Sequence, residues 1–260
     1  MKKILILGAY GYLGNALSNF LSHNFEIYRQ GRTPISDYCF DPANKNDCKK
    51  YIDYINPNVI INLISETDVD KCEKFPDIAR EANTIIVKYL IDSIRDLHKD
   101  IYFIQISTDQ VYSGKGPHKE INVSPLNIYG KTKFDGEKFI DLGKHIVLRT
   151  NFIGKDKYTN KINLVDWIVK SLRNKIKINV FSDILFNPLS ISSLCNEVVR
   201  VINNQKKGVF NLGSNNFISK ADLAIIVAKK LNLDLDLLNI TSSTSKNFAA
   251  KRNKDMRINI

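Results

Sequence analysis

Apolar positions arrive along this chain in two alternating rhythms. Short, nearly continuous apolar runs alternate with stretches whose apolar residues recur every three or four positions. The run "KILILG" (Lys3–Gly8) predicts a buried strand, and "GNALSNFLS" behind it carries Ala16, Leu17, Phe20 and Leu21 at helical spacing. "FEIYRQ" predicts a second strand, "DCKKYIDYI" a short helix and "PNVIINLIS" (Pro57–Ser65) a strongly buried strand. "FPDIAREANTIIVKYLIDSIRDL" predicts one long helix with a stripe of Ile78, Ala82, Ile85, Ile86, Tyr89 and Leu90. "IYFIQIS" (Ile101–Ser107) is the next strand, a helix surrounds Tyr129, and "HIVLRTNFIG" is a further strand.

Strands alternating with helices through short connections predict a parallel sheet covered on both faces, an α/β doubly wound (Rossmann) fold. Ligands of such a fold bind outside the carboxyl ends of the strands. Those ends fall here after Leu7, Asn62, Ile106 and Leu148. Beyond about residue 150 the order is less regular. "INLVDWIVKSLRNK" and "ISSLCNEVVRVINN" predict helices, "KINVFSD" and "GVFNLGS" predict strands, and "SKADLAIIVAKKLN" opens with a Ser219 cap and Asp222 three residues on. No linker-like tract separates the halves. The expected organisation is a nucleotide-binding domain over residues 1–150, to which part of 160–205 returns, and a smaller, mainly substrate-binding lobe over residues 151–260.

Composition changes this picture little. Of the 260 residues, 43% are apolar and 25% charged, which is ordinary for a soluble globular protein. No apolar run approaches a membrane span, so no membrane partner is expected. The start "MKKILILGAYGYLG" has the lysines of a signal peptide, but glycine interrupts its apolar stretch too early. Cys39, Cys48, Cys72 and Cys195 show neither C-x-x-C nor metal-ligand spacing, so a reducing cytoplasm and no metal site are expected. The net charge of +11 comes from lysines spread along the whole chain, without a basic run or basic-aromatic interleaving. It suits attraction of a phosphorylated small molecule better than nucleic acid.

The first chemistry lies in "ILILGAYGYLGNAL". Gly8, Gly11 and Gly14 sit between a strand and a helix, where glycine permits a tight turn and lets phosphate approach backbone N–H groups. This placement predicts a dinucleotide site. After the second strand, "YRQGRTP" carries Arg29 and Arg32 and no carboxylate, which suits the 2′-phosphate of NADPH, with NADH left open. Asp41 is placed to touch the adenine, or to cap the next helix.

The second chemistry joins two segments. "QISTDQVYSG" puts Ser107, Thr108 and Asp109 at a strand end, and "PLNIYGKTKFDGE" puts Tyr129 one helical turn before Lys133. A tyrosine is a poor proton-transfer group near neutrality unless its phenolate is stabilised, and a lysine ammonium one turn away is expected to do that. Thr108 is expected to hydrogen-bond the substrate oxygen.

With these motifs the chain resembles the extended short-chain dehydrogenase/reductases, and among them the dTDP-4-dehydrorhamnose reductase group of sugar-nucleotide 4-ketoreductases. "GAYGYLG", "NLISETDVDKCE", "STDQVYSG", "HKEINVSPLNIYGKTKFDGE", "LRTNFIG" and "AKRNKDMRIN" carry the resemblance. It implies Thr108, Tyr129 and Lys133 as the catalytic set, and Gly8, Tyr10, Gly11, Leu13 and Gly14 as the cofactor turn. Leu63, Ile64 and Ser65 would pass beside the cofactor, with Asn83 supporting it. Thr67, Asp68, Val69, Gln110, Phe152 and Asn187 would lie near the sugar nucleotide. The resemblance leaves a homodimer open.

Departures from the family pattern fall near the substrate. "LIS" replaces an Ala-rich run, Gln110 stands where Tyr is usual, and Phe152 where Trp is usual. Gln110 also weighs against a dehydratase, which places a glutamate base there, since an amide cannot take a proton in that way. A sugar-nucleotide epimerase uses the same Tyr-Thr-Lys set and stays open. So does a non-catalytic NADP-binding subunit of the kind that partners methionine adenosyltransferase. Trp167 is expected in the core, His118 on the surface, and Cys72 packed rather than reactive.

Overall fold

The structure, a computed structural model, describes residues 1–34, 36–155, 162–245 and 247–260. Its central sheet has seven parallel strands. Strands β1 (Lys3–Leu7), β2 (Glu26–Gly31), β3 (Tyr38–Cys39), β4 (Val59–Asn62), β5 (Tyr102–Thr108) and β6 (Ile146–Thr150) are joined by Gly208–Leu212, in the order 208–212, β6, β5, β4, β1, β2, β3. The chain winds outward from β1 to β3, then returns to lay β4 on the other side of β1. That reversal makes a crevice between the ends of β1 and β4, the place where this topology binds ligands.

The strands are apolar on both sides because helices cover both faces. On one face α1 (Tyr12–Leu21) and α8 (Ile191–Asn204) bury Leu13, Leu17, Leu21, Leu194, Val198 and Ile202 against Ile4, Ile6, Ile61 and Ile104. On the other, α2 (Lys45–Ile55) and α5 (Ile86–Asp96) bury Cys48, Ile52, Leu90 and Ile94 against Leu5, Leu7, Ile60 and Phe103. Helix α6 (Ile128–Glu137) packs across the end of α5. Two smaller cores follow, around α7 (Leu164–Arg173), α9 (Lys220–Lys230) and strands 178–181 and 238–241.

The predicted long helix differs in one instructive way. After α3 (Val69–Lys74), α4 (Pro76–Arg80) passes through a π-helical turn, Glu81–Ile85, into α5. The wider turn rotates the stripe. Ile78, expected on the buried face, is 48% exposed, while Ala79, Asn83, Thr84 and Val87 are buried. A hydrophobic period of 3.6 cannot register one wide turn, and such turns often mark functional sites. Trp167 is also corrected: it is 38% exposed, because α7 buries its neighbours Ile168, Ser171 and Leu172 instead. His118 is buried rather than superficial, stacked on Tyr112 with ring centroids 5.1 Å apart. Its Nε2 lies 2.9 Å from the Asp255 carbonyl, so it belongs to the anchoring of the last segment.

Candidate active site

The turn after β1 is built for close approach. Gly8 has φ +74°, in the left-handed region that favours glycine. A Cβ on Gly14 would lie 2.3 Å from the Gly8 carbonyl oxygen, so only glycine lets α1 start this close to the strand. Leu13 is buried beneath the turn, and Gly11 holds the N-cap position of α1. The Tyr10 hydroxyl donates to Asp37 Oδ1 at 2.9 Å and accepts the Asp37 N–H. The Arg29 guanidinium stacks 4.2 Å from the centre of the Tyr10 ring and donates to Asn15.

Arg29 is thus committed to Tyr10 and Asn15, whereas Arg32 stands exposed beyond the end of β2. The decisive residue at that strand end is one that pattern reading passed over. Gln30 is buried, its Oε1 accepts the Gly8 N–H at 3.1 Å, and its Nε2 donates to the carbonyls of Gly31 and Phe40. A carboxylate here would bring negative charge to the glycine turn; an amide keeps the hydrogen bond and omits the charge. Asp41 does not cap α2. Asn44 does, accepting from Asn46 N and Asp47 N, while Asp41 Oδ1 closes a turn onto Ala43 N.

Beyond β4, Leu63, Ile64 and Ser65 cross the crevice beside Gly8; a Cβ there would touch Ile64 N at 3.3 Å. The π turn explains how this crossing is held. Asn83 Oδ1 accepts from the Ser65 hydroxyl at 2.8 Å and from Glu66 N at 3.0 Å, and its Nδ2 donates to Thr132 Oγ1 at 3.0 Å. One buried amide therefore ties β4, the π turn and α6 together.

Helix α6 is capped by Asn127, whose Oδ1 accepts the Gly130 N–H. A Cβ on Gly130 would lie 2.2 Å from the Gln110 carbonyl oxygen, so its absence lets α6 seat against the end of β5. This contact brings Tyr129 to Thr108. Tyr129 is buried, packed with Cys72, Ala79, Val69 and Ile128. Burial pushes its phenol up to about 12, with hydrogen bonding from Thr108 and Ser65 pulling the other way. The net shift is upward because enclosure in apolar surroundings outweighs the polar contacts. Lys133 is buried too. Its ammonium donates to the Ile106 carbonyl at 2.9 Å, and desolvation brings it down to about 8 against the pull of Glu137. Cys72 is packed, its thiol pushed up to about 11 by burial.

Around this triad the expected substrate residues divide. Gln110 leans over the site edge, its Oε1 3.3 Å from Asn127 Nδ2. Thr67 is exposed, Asp68 caps α3 by accepting Lys71 N at 3.0 Å, and Val69 packs beneath Tyr129. The Phe152 ring lies against Tyr12, with centroids 5.9 Å apart. Asn187 commits its amide to backbone, donating to Ser214 and Ile258 carbonyls and accepting Ile258 N. It holds the last segment in place. Sequence reasoning missed Asn151, whose Nδ2 donates to Asp109 Oδ2 at 2.9 Å. Burial raises the Asp109 carboxyl to about 6, opposed by the Asn151 and Thr108 hydrogen bonds.

The RmlD substrate binding domain family matches residues 1–260. The chain belongs to that family. The dTDP-4-dehydrorhamnose reductase of Shigella flexneri is 28% identical over 239 residues, covering 86% of this chain and 78% of the relative. The structure of dTDP-4-dehydrorhamnose reductase from Bacillus anthracis in complex with NADP superposes with a TM-score of 0.88 at 26% identity, covering 99% of this chain and 89% of that one. The bovine methionine adenosyltransferase 2 subunit beta is 26% identical, covering 89% of this chain and 73% of the relative. Among the described residues no helix is long and apolar enough to cross a membrane, and no cluster of three metal-ligating side chains occurs.

Proposed function

We propose that this protein reduces a nucleotide-linked 4-keto-6-deoxy sugar with NADPH, with dTDP-4-dehydro-L-rhamnose as the first substrate to test. The observation that carries the reading is the meeting of Thr108, Tyr129 and Lys133 at the end of β5, beside the glycine turn. The turn fits a dinucleotide: mostly backbone atoms line its tight approach, and Gln30 supplies hydrogen bonding without negative charge. Gly8, Tyr10, Gly11, Leu13, Gly14, Leu63, Ile64 and Ser65 would hold the cofactor, and Arg32 would meet its 2′-phosphate. The bound nicotinamide would supply hydride.

The residues of the chain do the rest. Thr108 fixes the carbonyl oxygen of the substrate. Tyr129, kept protonated by its high pKa, gives its proton to that oxygen as charge develops there. A phenol that holds its proton through neutral pH suits reduction, where an alkoxide must be quenched. Lys133, anchored on the Ile106 carbonyl, would keep a positive charge beneath the site. Gln110 provides no carboxylate for the elimination that a dehydratase performs. The free cysteines, one exposed and three buried, fit a cytoplasmic enzyme with a small-molecule substrate.

The test is NADPH oxidation against a panel of 4-keto sugar nucleotides, with Tyr129→Phe as control. The variant is expected to bind NADPH normally and lose at least about a hundredfold in turnover. Near-normal turnover would remove the mechanism. The likeness to the methionine adenosyltransferase subunit supports a second reading, a non-catalytic NADP-binding protein. Normal NADPH binding with no reduction across the whole panel would select it.

A further inference from the structure

The last segment of the chain has two halves that are held differently. Beyond residue 253 it is tied by backbone pairing. The Lys254 carbonyl accepts the Leu185 N–H at 2.7 Å, Met256 N donates to the Leu185 carbonyl at 2.8 Å, and Arg257 and Asn259 pair with the backbone of His118. Among the described residues, 250–253 make no backbone–backbone bond to another element. Their anchors all run through side chains. Asp70 of α3 accepts the Ala250 N–H on Oδ1 at 2.9 Å and Arg252 Nη2 on Oδ2 at 2.5 Å. Asn127 Nδ2 donates to the Lys251 carbonyl at 3.0 Å, and Asn253 Nδ2 to the Gln110 carbonyl at 3.3 Å.

These anchors surround the site. Gln110 lies two residues after Thr108, Asn127 two residues before Tyr129, and Asp70 next to Val69, which packs with Tyr129. One short segment therefore spans α3, the end of β5 and the start of α6. The span is lightly held. The side chains of Arg252 and Asp70 are 21% and 34% exposed, so solvent screens their attraction. Arg252 Nη1 and Asn253 Oδ1 are buried with no hydrogen-bond partner among the described residues. A buried polar atom without a partner costs free energy that opening to water returns. A segment held by side chains and carrying such costs opens more readily than the sheet behind it.

We infer that residues 250–253 are a strap that opens and closes over the sugar site, with Asp70 as its latch. Asp70 is a positioning residue: it acts by keeping the strap seated against Gln110 and Asn127. What the strap covers rests on the reductase reading; the latch does not. A strap that spends less time closed lowers the apparent affinity for substrate by the lost closed fraction, and leaves the chemistry of the closed complex unchanged.

Lys251 supplies the readout, because trypsin cuts after it only when the strap leaves its seat. The experiment is limited trypsin digestion of the full-length protein, with mass spectrometry following cleavage after Lys251. Asp70→Ala, which loses the ion pair and the Ala250 hydrogen bond, should be cut there about tenfold faster than the natural protein, and Arg252→Met about threefold faster. NADPH affinity should be unchanged in both, which shows that they fold. In the Arg252→Met background, Asp70→Ala should add only about threefold, since the ion pair is already gone. Cleavage of Asp70→Ala at the natural rate overturns the latch, and a full tenfold addition in the double variant overturns the ion pair as part of it. In steady state, Asp70→Ala should raise KM for the sugar nucleotide about tenfold and hold kcat within about twofold. An unchanged KM beside faster cleavage overturns the strap as a cover of the site. A natural protein that reduces no sugar across the panel strikes the reductase reading, and cleavage after Lys251 still decides the latch.

Discussion

Glu137 and Arg149 form an ion pair behind the proposed catalytic face, and the pair makes a sharp prediction. Their side chains are only 4% and 3% exposed. Arg149 Nη2 donates to Glu137 Oε2 at 2.6 Å and Nε to the same oxygen at 3.1 Å. Glu137 also accepts the Ser107 hydroxyl, and Arg149 donates to the Tyr112 hydroxyl at 2.8 Å. Replacing Glu137 by Gln keeps the shape but leaves a buried guanidinium without its counter-charge. The expected cost is about 3–5 kcal/mol of folding stability. At about 2–4 °C per kcal/mol for a chain of this size, Tm should fall by roughly 6–20 °C. Urea denaturation followed by circular dichroism measures it directly. The double replacement Glu137→Leu, Arg149→Met removes both charges and should recover at least about half of the loss. The same change acts on the site: the Glu137 carboxylate holds the Lys133 pKa up, so its removal should move the alkaline limb of the rate profile to lower pH. A stability loss under about 1 kcal/mol would refute the reasoning, because it would mean that water or a neighbour already screens the pair.

Two further outcomes follow from the cofactor side and from pH. Replacing Gln30 by Glu puts a negative charge at the glycine turn and should lower the NADPH-to-NADH ratio of kcat/KM by about tenfold; an unchanged ratio would remove Gln30 from cofactor choice. The Lys133 ammonium, brought down to about 8 by burial, is fully charged below that pH and neutral above it. Turnover should therefore fall as pH rises through about 8, and a rate that stays flat well above that pH would show that its charge is dispensable.

Much of this protein was legible in its order of residues. The strands β1, β4 and β5 are runs that only a sheet covered on both faces can bury, and the α/β alternation carries the topology with it. The Gly8–Gly14 turn and the Tyr129–Lys133 spacing are also local, since each depends on a few consecutive residues. So is the Ser219–Asp222 capping box, present as expected. What the tertiary structure alone decided lies in pairs far apart in the chain. Asn83 joins Ser65 to Thr132 only because one π turn rotates it inward. Asn151 reaches Asp109, Glu137 reaches Arg149, and His118 goes inside because the last segment folds over it. The phenol of Tyr129 is raised because its enclosure is assembled from α3, α4 and α6 together. Periodicity reports which face of an element avoids water. It carries no information about which polar partner waits on the other side, and in this site those partners set the charges.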